Sequence, residues 1–174
     1  MKIGVSGSKG RVGTILVDLL SAAEDVDFAG GIDSGDDAES LFQAADAVID
    51  FSVPEATVRN AKLAAEHGTA LIACTTGLNA EDEAVLEEAA KKTTVVYSAN
   101  MSVAVNVLFY LTEQAAKIVP DYDLEIIEAH HNRKVDAPSG TALTLGKTAA
   151  AARGVNFDQV AVLSREGQVG ARKT

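Results

Sequence analysis

Cysteine is nearly absent. Cys74 is the only one in 174 residues, which excludes an intrachain disulfide and leaves any cysteine-based zinc site short of ligands. Reducing surroundings and no structural metal fit that composition. Cations are also in deficit, with 15 Lys and Arg against 25 Asp and Glu, and the net charge of −10 repels a polyanion over most of the surface. General binding to nucleic acid or to an anionic membrane is therefore not expected. No run approaches the about 18 consecutive apolar residues of a spanning helix, and the opening MKIGVSGSKG turns polar before a signal-peptide core forms. The expected location is the cytoplasm. What remains is 47% hydrophobic and 23% charged residues, an ordinary globular composition that excludes a coiled rod or a disordered tail. A chain of this length buries roughly 70% of its unfolded surface, in one large domain or two small ones.

Lys2 to Ser6 (KIGVS) is a short β-branched run leading straight into glycine-rich sequence. Val12 to Ala23 then has helical spacing through Val12, Leu16, Leu19 and Leu20. Strands are expected at Val26–Ile32, Ala47–Phe51, Ala70–Ala73 and Thr94–Tyr97, with helices at Glu55–Glu66 and Ala80–Lys91. This alternation implies βαβ units with right-handed crossovers, and so a doubly wound parallel sheet of α/β type with helices on both faces. After Asn100 the character changes, which predicts a boundary there: 1–100 as one domain and 101–174 as a second, of α+β type. In the second, Ser102 to Val119 reads as a helix and Asp123 to Ala129 (DLEIIEA) as a one-sided strand. HHNRKVDAPSG reads as a loop, Thr141 to Ala152 as a helix, Val160–Leu163 as a strand, and SREGQVGARKT as a polar tail.

Gly7, Gly10 and Gly13 form G-x-x-G-x-x-G between the first strand and its helix. Gly7 permits a tight turn, Gly10 lets the backbone approach a pyrophosphate, and Gly13 lets the helix pack near the sheet. The helix N-terminus adds N–H groups and a positive dipole end. About 20 positions beyond Gly13, at the end of the second strand, stands Asp33, whose carboxylate can accept hydrogen bonds from an adenosine ribose and so favours NAD over NADP. Lys9 and Arg11 work the other way, since two cations in the turn partly neutralise a 2′-phosphate, and blunt discrimination is expected. They also read as solvated loop charges. Asp50-Phe51-Ser52-Val53-Pro54 and Thr75-Thr76-Gly77 follow the third and fourth strands, at the carboxyl edge where ligands of open parallel sheets collect. Backbone groups there, Phe51 and Ser52 included, are expected to line the nicotinamide half of a cleft, although Ser52-Val53-Pro54 also reads as a helix cap.

His130 and His131 are adjacent and share a loop with Arg133 and Lys134, a cation cluster in an acidic chain. Pro138-Ser139-Gly140-Thr141 then opens a helix, with Ser139 as N-cap and the N–H groups of Gly140 and Thr141 pointing outward. Cations beside a free helix N-terminus make an anion site that suits a carboxylate, and histidine can donate a proton at neutral pH. No third ligand accompanies the pair to make a metal site, and no G-x-S-x-G elbow supports Ser-His-Asp hydrolysis.

Glu128 to Ala142, EAHHNRKVDAPSGTA, resembles the E-x-H-H-x-x-K-x-D-x-P-S-G-T-A signature of the dihydrodipicolinate reductases, also called 4-hydroxy-tetrahydrodipicolinate reductases. The GSKGRVG turn, DFSVP, TTG and Ser98-Ala99-Asn100-Met101 fall in that family's order, and the resemblance spans essentially the whole chain. It implies NADH- or NADPH-dependent reduction of a cyclic dicarboxylate on the route to diaminopimelate and lysine. His130 would be the general acid/base and Lys134 the second, carboxylate-facing cation. His131, Ser139, Gly140 and Thr141 would hold the substrate carboxylates. Gly7, Ser8, Lys9, Gly10, Arg11, Val12, Asp33, Cys74, Thr75, Thr76, Ser98, Ala99, Asn100 and Met101 would line the cofactor, facing the acid across a cleft that can close. Cys74 stands where the family usually has glycine, which puts a free thiol near the nicotinamide, with a modest steric effect and a route to inhibition by oxidation. Family members continue past SREGQVGARKT into strands that complete the substrate domain's sheet and carry homotetramer contacts. A chain without them is expected to have an incomplete second domain.

Three functions compete. The reductase is favoured by the intact HHNRKVDAPSGT segment. A dinucleotide-binding module without turnover would follow from missing C-terminal strands. A nicotinamide enzyme acting on an amino or keto acid fits the glycine turn but leaves the histidine loop unexplained.

Overall fold

A computed structural model describes residues 1–98, 100–135 and 137–171. The chain divides into two compact units, Met1–Ala99 and Asn100–Thr174. In the first unit, strands β1 (Lys2–Ser6), β2 (Asp27–Ile32), β3 (Ala47–Asp50), β4 (Ala70–Ala73) and β5 (Val95–Tyr97) alternate with helices α1 (Arg11–Ala22), α2 (Ala38–Ala44), α3 (Pro54–His67) and α4 (Ala80–Ala90). All pairings are parallel, in the order β2-β1-β3-β4-β5. The chain moves outward from β1 to β2 and then back across to β3. With right-handed crossovers, α1 covers one face of the sheet and α2, α3 and α4 the other.

The helix boundaries follow local chemistry. The Asp37 carboxylate accepts the Ser40 N–H and caps α2, a helix that periodicity alone does not reveal. Pro54 opens α3 at a first-turn position where a missing N–H costs nothing, and Gly68, in the left-handed region at φ 72°, closes it. Asn79 and Asp82 form a reciprocal capping box on α4. Val48 of β3 and Leu71 of β4 are fully buried in one cluster with Phe42, Ala61 and Ala64. These small alanines let the helices approach the sheet closely.

Register decides how the loops line up. Ile32, Ser6, Asp50, Ala73 and Tyr97 stand opposite one another across β2, β1, β3, β4 and β5. The next residue of each strand, Asp33, Gly7, Phe51, Cys74 and Ser98, therefore opens a loop on one carboxyl edge. The direction of winding reverses between β1 and β3, where an open α/β sheet leaves a crevice.

In the second unit, α5 (Val103–Ile118) packs on α6 (Gly140–Ala152), followed by the short α7 (Phe157–Val160). Ala116, Ala149 and Ala150 are buried there. The Arg153 guanidinium donates to the carbonyls of Val119 (3.4 Å) and Tyr122 (2.8 Å), fastening the ends of the two long helices. Asp123–Ala129 is not a strand: alternation suits a β-strand, but a strand needs a partner backbone, and none of the described residues pairs with it. Val160–Leu163 is not a strand either. The Asn156 side chain accepts the Asp158 N–H and starts α7, and the Phe157 ring lies against Gly146 of α6. Among the described residues, no helix is long and apolar enough to cross a membrane.

Candidate functional site

The β1–α1 turn is shaped by backbone crowding. Gly7 and Ser8 donate their N–H groups to the Ile32 carbonyl at 2.9 and 3.0 Å, and Gly10 N–H donates to Gly7 O at 3.0 Å. Gly7 sits at φ 78°, and a Cβ there would lie 2.3 Å from Phe51 O. A Cβ on Gly13 would lie 2.0 Å from Gly7 O. Both positions require glycine, one for conformation and contact, the other for contact alone. Gly10 is the N-cap of α1 and offers no side-chain cap, so the N–H groups of the first turn are left for a ligand.

Beside this turn lies a cavity of about 420 Å³, bordered by Gly7, Gly10, Asp33, Phe51, Ser52 and Arg59 among others. The Asp33 carboxylate accepts the N–H of Ser34 (2.9 Å) and of Lys9 (3.0 Å). These two bonds, with the Lys9 charge, hold its pKa below the ordinary carboxylate value. It stays ionised at neutral pH, with lone pairs left to accept further hydrogen bonds. The β3–α3 loop is fixed from below: fully buried Asp50 accepts the Ser52 N–H at 3.1 Å, and buried Asn60 donates to Ser6 Oγ at 2.8 Å. Ser52 is not the cap of α3, which Val53 precedes without a side-chain bond.

The other residues expected at the cofactor divide by position. Ser8, Lys9, Arg11 and Val12 belong to the turn and the start of α1, and Thr75, Thr76 and Ser98 to the loops opening beyond β4 and β5. Thr75 is buried and shares a 2.8 Å hydroxyl contact with Thr57. Asn100 and Met101 fall in the second unit's span, where the Asn100 amide donates to Thr141 Oγ1 at 3.2 Å. Ala99 lies outside the described residues. Glu55 and Arg59, which also border the cavity, escape a motif search. Their only signal is i, i+4 spacing on a helix that starts directly after DFSVP.

An oxidation-prone thiol at position 74 does not fit its surroundings. Cys74 is only 8% exposed, and burial, reinforced by the nearby Asp50 charge, pushes the thiol up to about 11. Thiolate is the reactive form, so at pH 7.5 roughly one molecule in a thousand or fewer is competent. Iodoacetamide is expected to leave Cys74 unmodified for hours in native protein and to label it within minutes in urea, read by intact mass. Rapid native labelling would contradict this burial.

In the second unit the sequence EAHHNRKVDAPSG runs into the N-terminus of α6. The Ser139 hydroxyl accepts the Ala142 N–H at 3.0 Å and caps the helix, while the Ser139 N–H donates to Glu128 Oε1 at 2.8 Å. The other Glu128 oxygen stands 3.6 Å from His130 Nδ1. The Ser139 hydroxyl and N–H, then the charges of His130 and Lys134, hold Glu128 below the ordinary carboxylate value. The alternating segment carries the signal for this contact, since residues two apart project to one side of an extended chain. Arg133 N–H donates to His131 Nδ1 at 3.1 Å, so that ring carries its proton on Nε2 and presents a donor there. Lys134 N–H donates to the His131 carbonyl at 3.2 Å and tightens the loop. Asp136 and residues 172–174 lie outside the described residues. Among the described residues, no three His, Cys, Asp or Glu side chains converge to hold a metal ion.

Two family models divide the chain between them: dihydrodipicolinate reductase, N-terminus, over residues 1–101, and dihydrodipicolinate reductase, C-terminus, over residues 104–174. The chain belongs to the dihydrodipicolinate reductase family. It is 42% identical over 184 residues to the 4-hydroxy-tetrahydrodipicolinate reductase of Sulfurovum sp. (strain NBC37-1), covering 98% of this chain and 72% of that protein. Identity to the corresponding reductase of Burkholderia multivorans is 41% over 195 residues, covering 99% of this chain and 74% of that one. Among solved structures, a dipicolinate-bound dihydrodipicolinate reductase from Paenisporosarcina sp. TG-14 shares the fold, with a TM-score of 0.67 at 21% identity, over all of this chain and 71% of that one.

Proposed function

We propose that the chain catalyses the NADH- or NADPH-dependent reduction of 4-hydroxy-tetrahydrodipicolinate to tetrahydrodipicolinate, in diaminopimelate and lysine biosynthesis. The observation that carries this reading is the histidine loop: a histidine paired with Glu128 beside a capped helix N-terminus, in a chain whose first unit is built around a glycine turn. A module that only binds a dinucleotide has no use for that arrangement.

The first unit fits a dinucleotide. The turn has no room for a Cβ at Gly7 or Gly13, the first turn of α1 leaves N–H groups open, and Asp33 is held ionised at the cavity wall. When bound, NADH or NADPH supplies a hydride to a ring carbon. The substrate's 4-hydroxyl leaves as water with a neighbouring ring proton, which gives the conjugated system that accepts the hydride. His130 donates the proton that neutralises the negative charge developing on it, with Glu128 orienting its Nδ1 side and leaving Nε2 for the transfer. Lys134 adds a cation facing a substrate carboxylate and a second proton donor. His131 Nε2–H, the Ser139 cap, and the Gly140 and Thr141 N–H groups bind the carboxylates. The assignment of residues 1–100 to cofactor and 101–174 to substrate belongs to the same reading, as do a cytoplasmic location and a homotetramer.

The experiment is oxidation of NADH and NADPH by the 174-residue chain, with the synthase product generated in situ, beside a binding titration on the same sample. Turnover is the expected result. Dinucleotide binding without turnover would overturn the reductase reading for this chain in favour of a binding module.

A further inference from the structure

The loop after β2 does more than present Asp33. The Lys9 ammonium stands 3.5 Å from Asp36 Oδ2, at the surface. The same oxygen accepts the Asp33 N–H at 2.8 Å, and the Asp36 N–H returns to the Asp33 carbonyl at 3.1 Å. The Asp33 carboxylate meanwhile accepts the Lys9 N–H at 3.0 Å. Two carboxylates thus lace the glycine turn to the β2–α2 loop. The cation of the turn that lies beside the ribose-binding carboxylate already has an anionic partner.

We propose that Asp36 is a positioning residue that sets a preference for NADH over NADPH by holding the Lys9 ammonium. The proposal rests on the dinucleotide-dependent reductase reading. A 2′-phosphate adds a dianionic group next to Asp33 and needs a neutralising cation. With its ammonium held by Asp36, Lys9 is not available to that group, while Asp33 is left to accept from a 2′-hydroxyl. Removing the Asp36 charge releases the ammonium to a 2′-phosphate. Asp36 has no motif to advertise it: it is three residues past Asp33 in a polar loop, and only the fold brings it to Lys9.

The test uses the full chain and titrates NADH and NADPH by their own fluorescence in Asp36→Asn, Asp36→Glu, Lys9→Gln and the double variant Lys9→Gln/Asp36→Asn. Asparagine keeps an oxygen acceptor for the Asp33 N–H but loses the charge. In Asp36→Asn the ratio Kd(NADPH)/Kd(NADH) is expected to fall roughly tenfold, chiefly through tighter NADPH, as befits one charge-assisted phosphate contact near the surface. High salt should erode the gain. Asp36→Glu should restore the wild-type ratio, and in the Lys9→Gln background the Asp36→Asn shift should vanish. Lys9→Gln alone should move the ratio less than about twofold, because its charge is already engaged; this readout holds even if Asp36→Asn does not fold. An unchanged ratio in Asp36→Asn overturns the proposal, as does a shift that persists without Lys9, which would assign the discrimination to Arg11 or Arg59. Wild-type preference for NADPH also overturns it. Failure of the wild type to bind either nucleotide is a separate result: it removes the dinucleotide site itself and the proposal with it.

Discussion

Replacing His130 by glutamine is expected to lower kcat by a factor of about 10² or more while leaving NADH affinity nearly unchanged. Glutamine retains a polar side chain of similar reach but cannot carry a proton to a developing carbanion. The contacts described for the glycine turn, with Ile32, Phe51 and its own backbone, do not involve His130. Lys134→Ala is expected to give a loss of similar size, with a rise in the substrate KM because a carboxylate-facing cation is removed as well. Stopped-flow or steady-state NADH oxidation, paired with a fluorescence titration of NADH, separates the two parameters. Equal loss of cofactor affinity in either variant would remove these residues from the proton-transfer role.

The second large effect is expected at Gly13. An alanine Cβ there would lie 2.0 Å from Gly7 O and 2.8 Å from Gly7 C and Ser8 Cα, all backbone atoms that no rotamer change can move. Either α1 retreats from the sheet or the turn opens, at a cost of about 1–3 kcal/mol or more. Both movements displace the first-turn N–H groups that the proposed function assigns to a pyrophosphate. Gly13→Ala is expected to weaken NADH binding by about 100-fold, in line with roughly 3 kcal/mol of lost phosphate contacts. Gly68→Ala makes the comparison. That glycine has φ 72° at the end of α3 with open space around it, so alanine costs about 1 kcal/mol of backbone strain and should leave NADH affinity intact. Urea unfolding and NADH titration of both variants distinguish a clash in the turn from general destabilisation. Wild-type NADH affinity in Gly13→Ala would show that the close approach does not shape the site.

Helix periodicity located α1, α3, α4, α5 and α6 to within a residue or two, because each amphipathic or capped segment carries its own local energetics. The glycine turn was equally legible, since the positive φ of Gly7 and the approach of Gly13 to Gly7 O are properties of the turn itself. The helix α2 was missed because its seven residues are too short for periodicity, and only the Asp37 cap marks it. The strands proposed at Asp123–Ala129 and Val160–Leu163 failed for a different reason. Alternation describes a segment able to pair, and pairing needs a second backbone.

The candidate sites divide along the same line. From the sequence alone came the residue types: a glycine turn with an acidic residue beyond the second strand, and two histidines with two cations ahead of a capped helix. Their chemistry is intrinsic to the side chains and their spacing, so it is legible in the sequence. The tertiary structure decided which of them meet. Parallel register aligned Gly7, Asp33 and Phe51 on one edge, burial raised the Cys74 thiol out of its reactive range, and folding brought Asp36 to Lys9 and Glu128 to Ser139. Such contacts depend on strand order and loop closure, which join residues distant in sequence and leave no periodic trace along the chain.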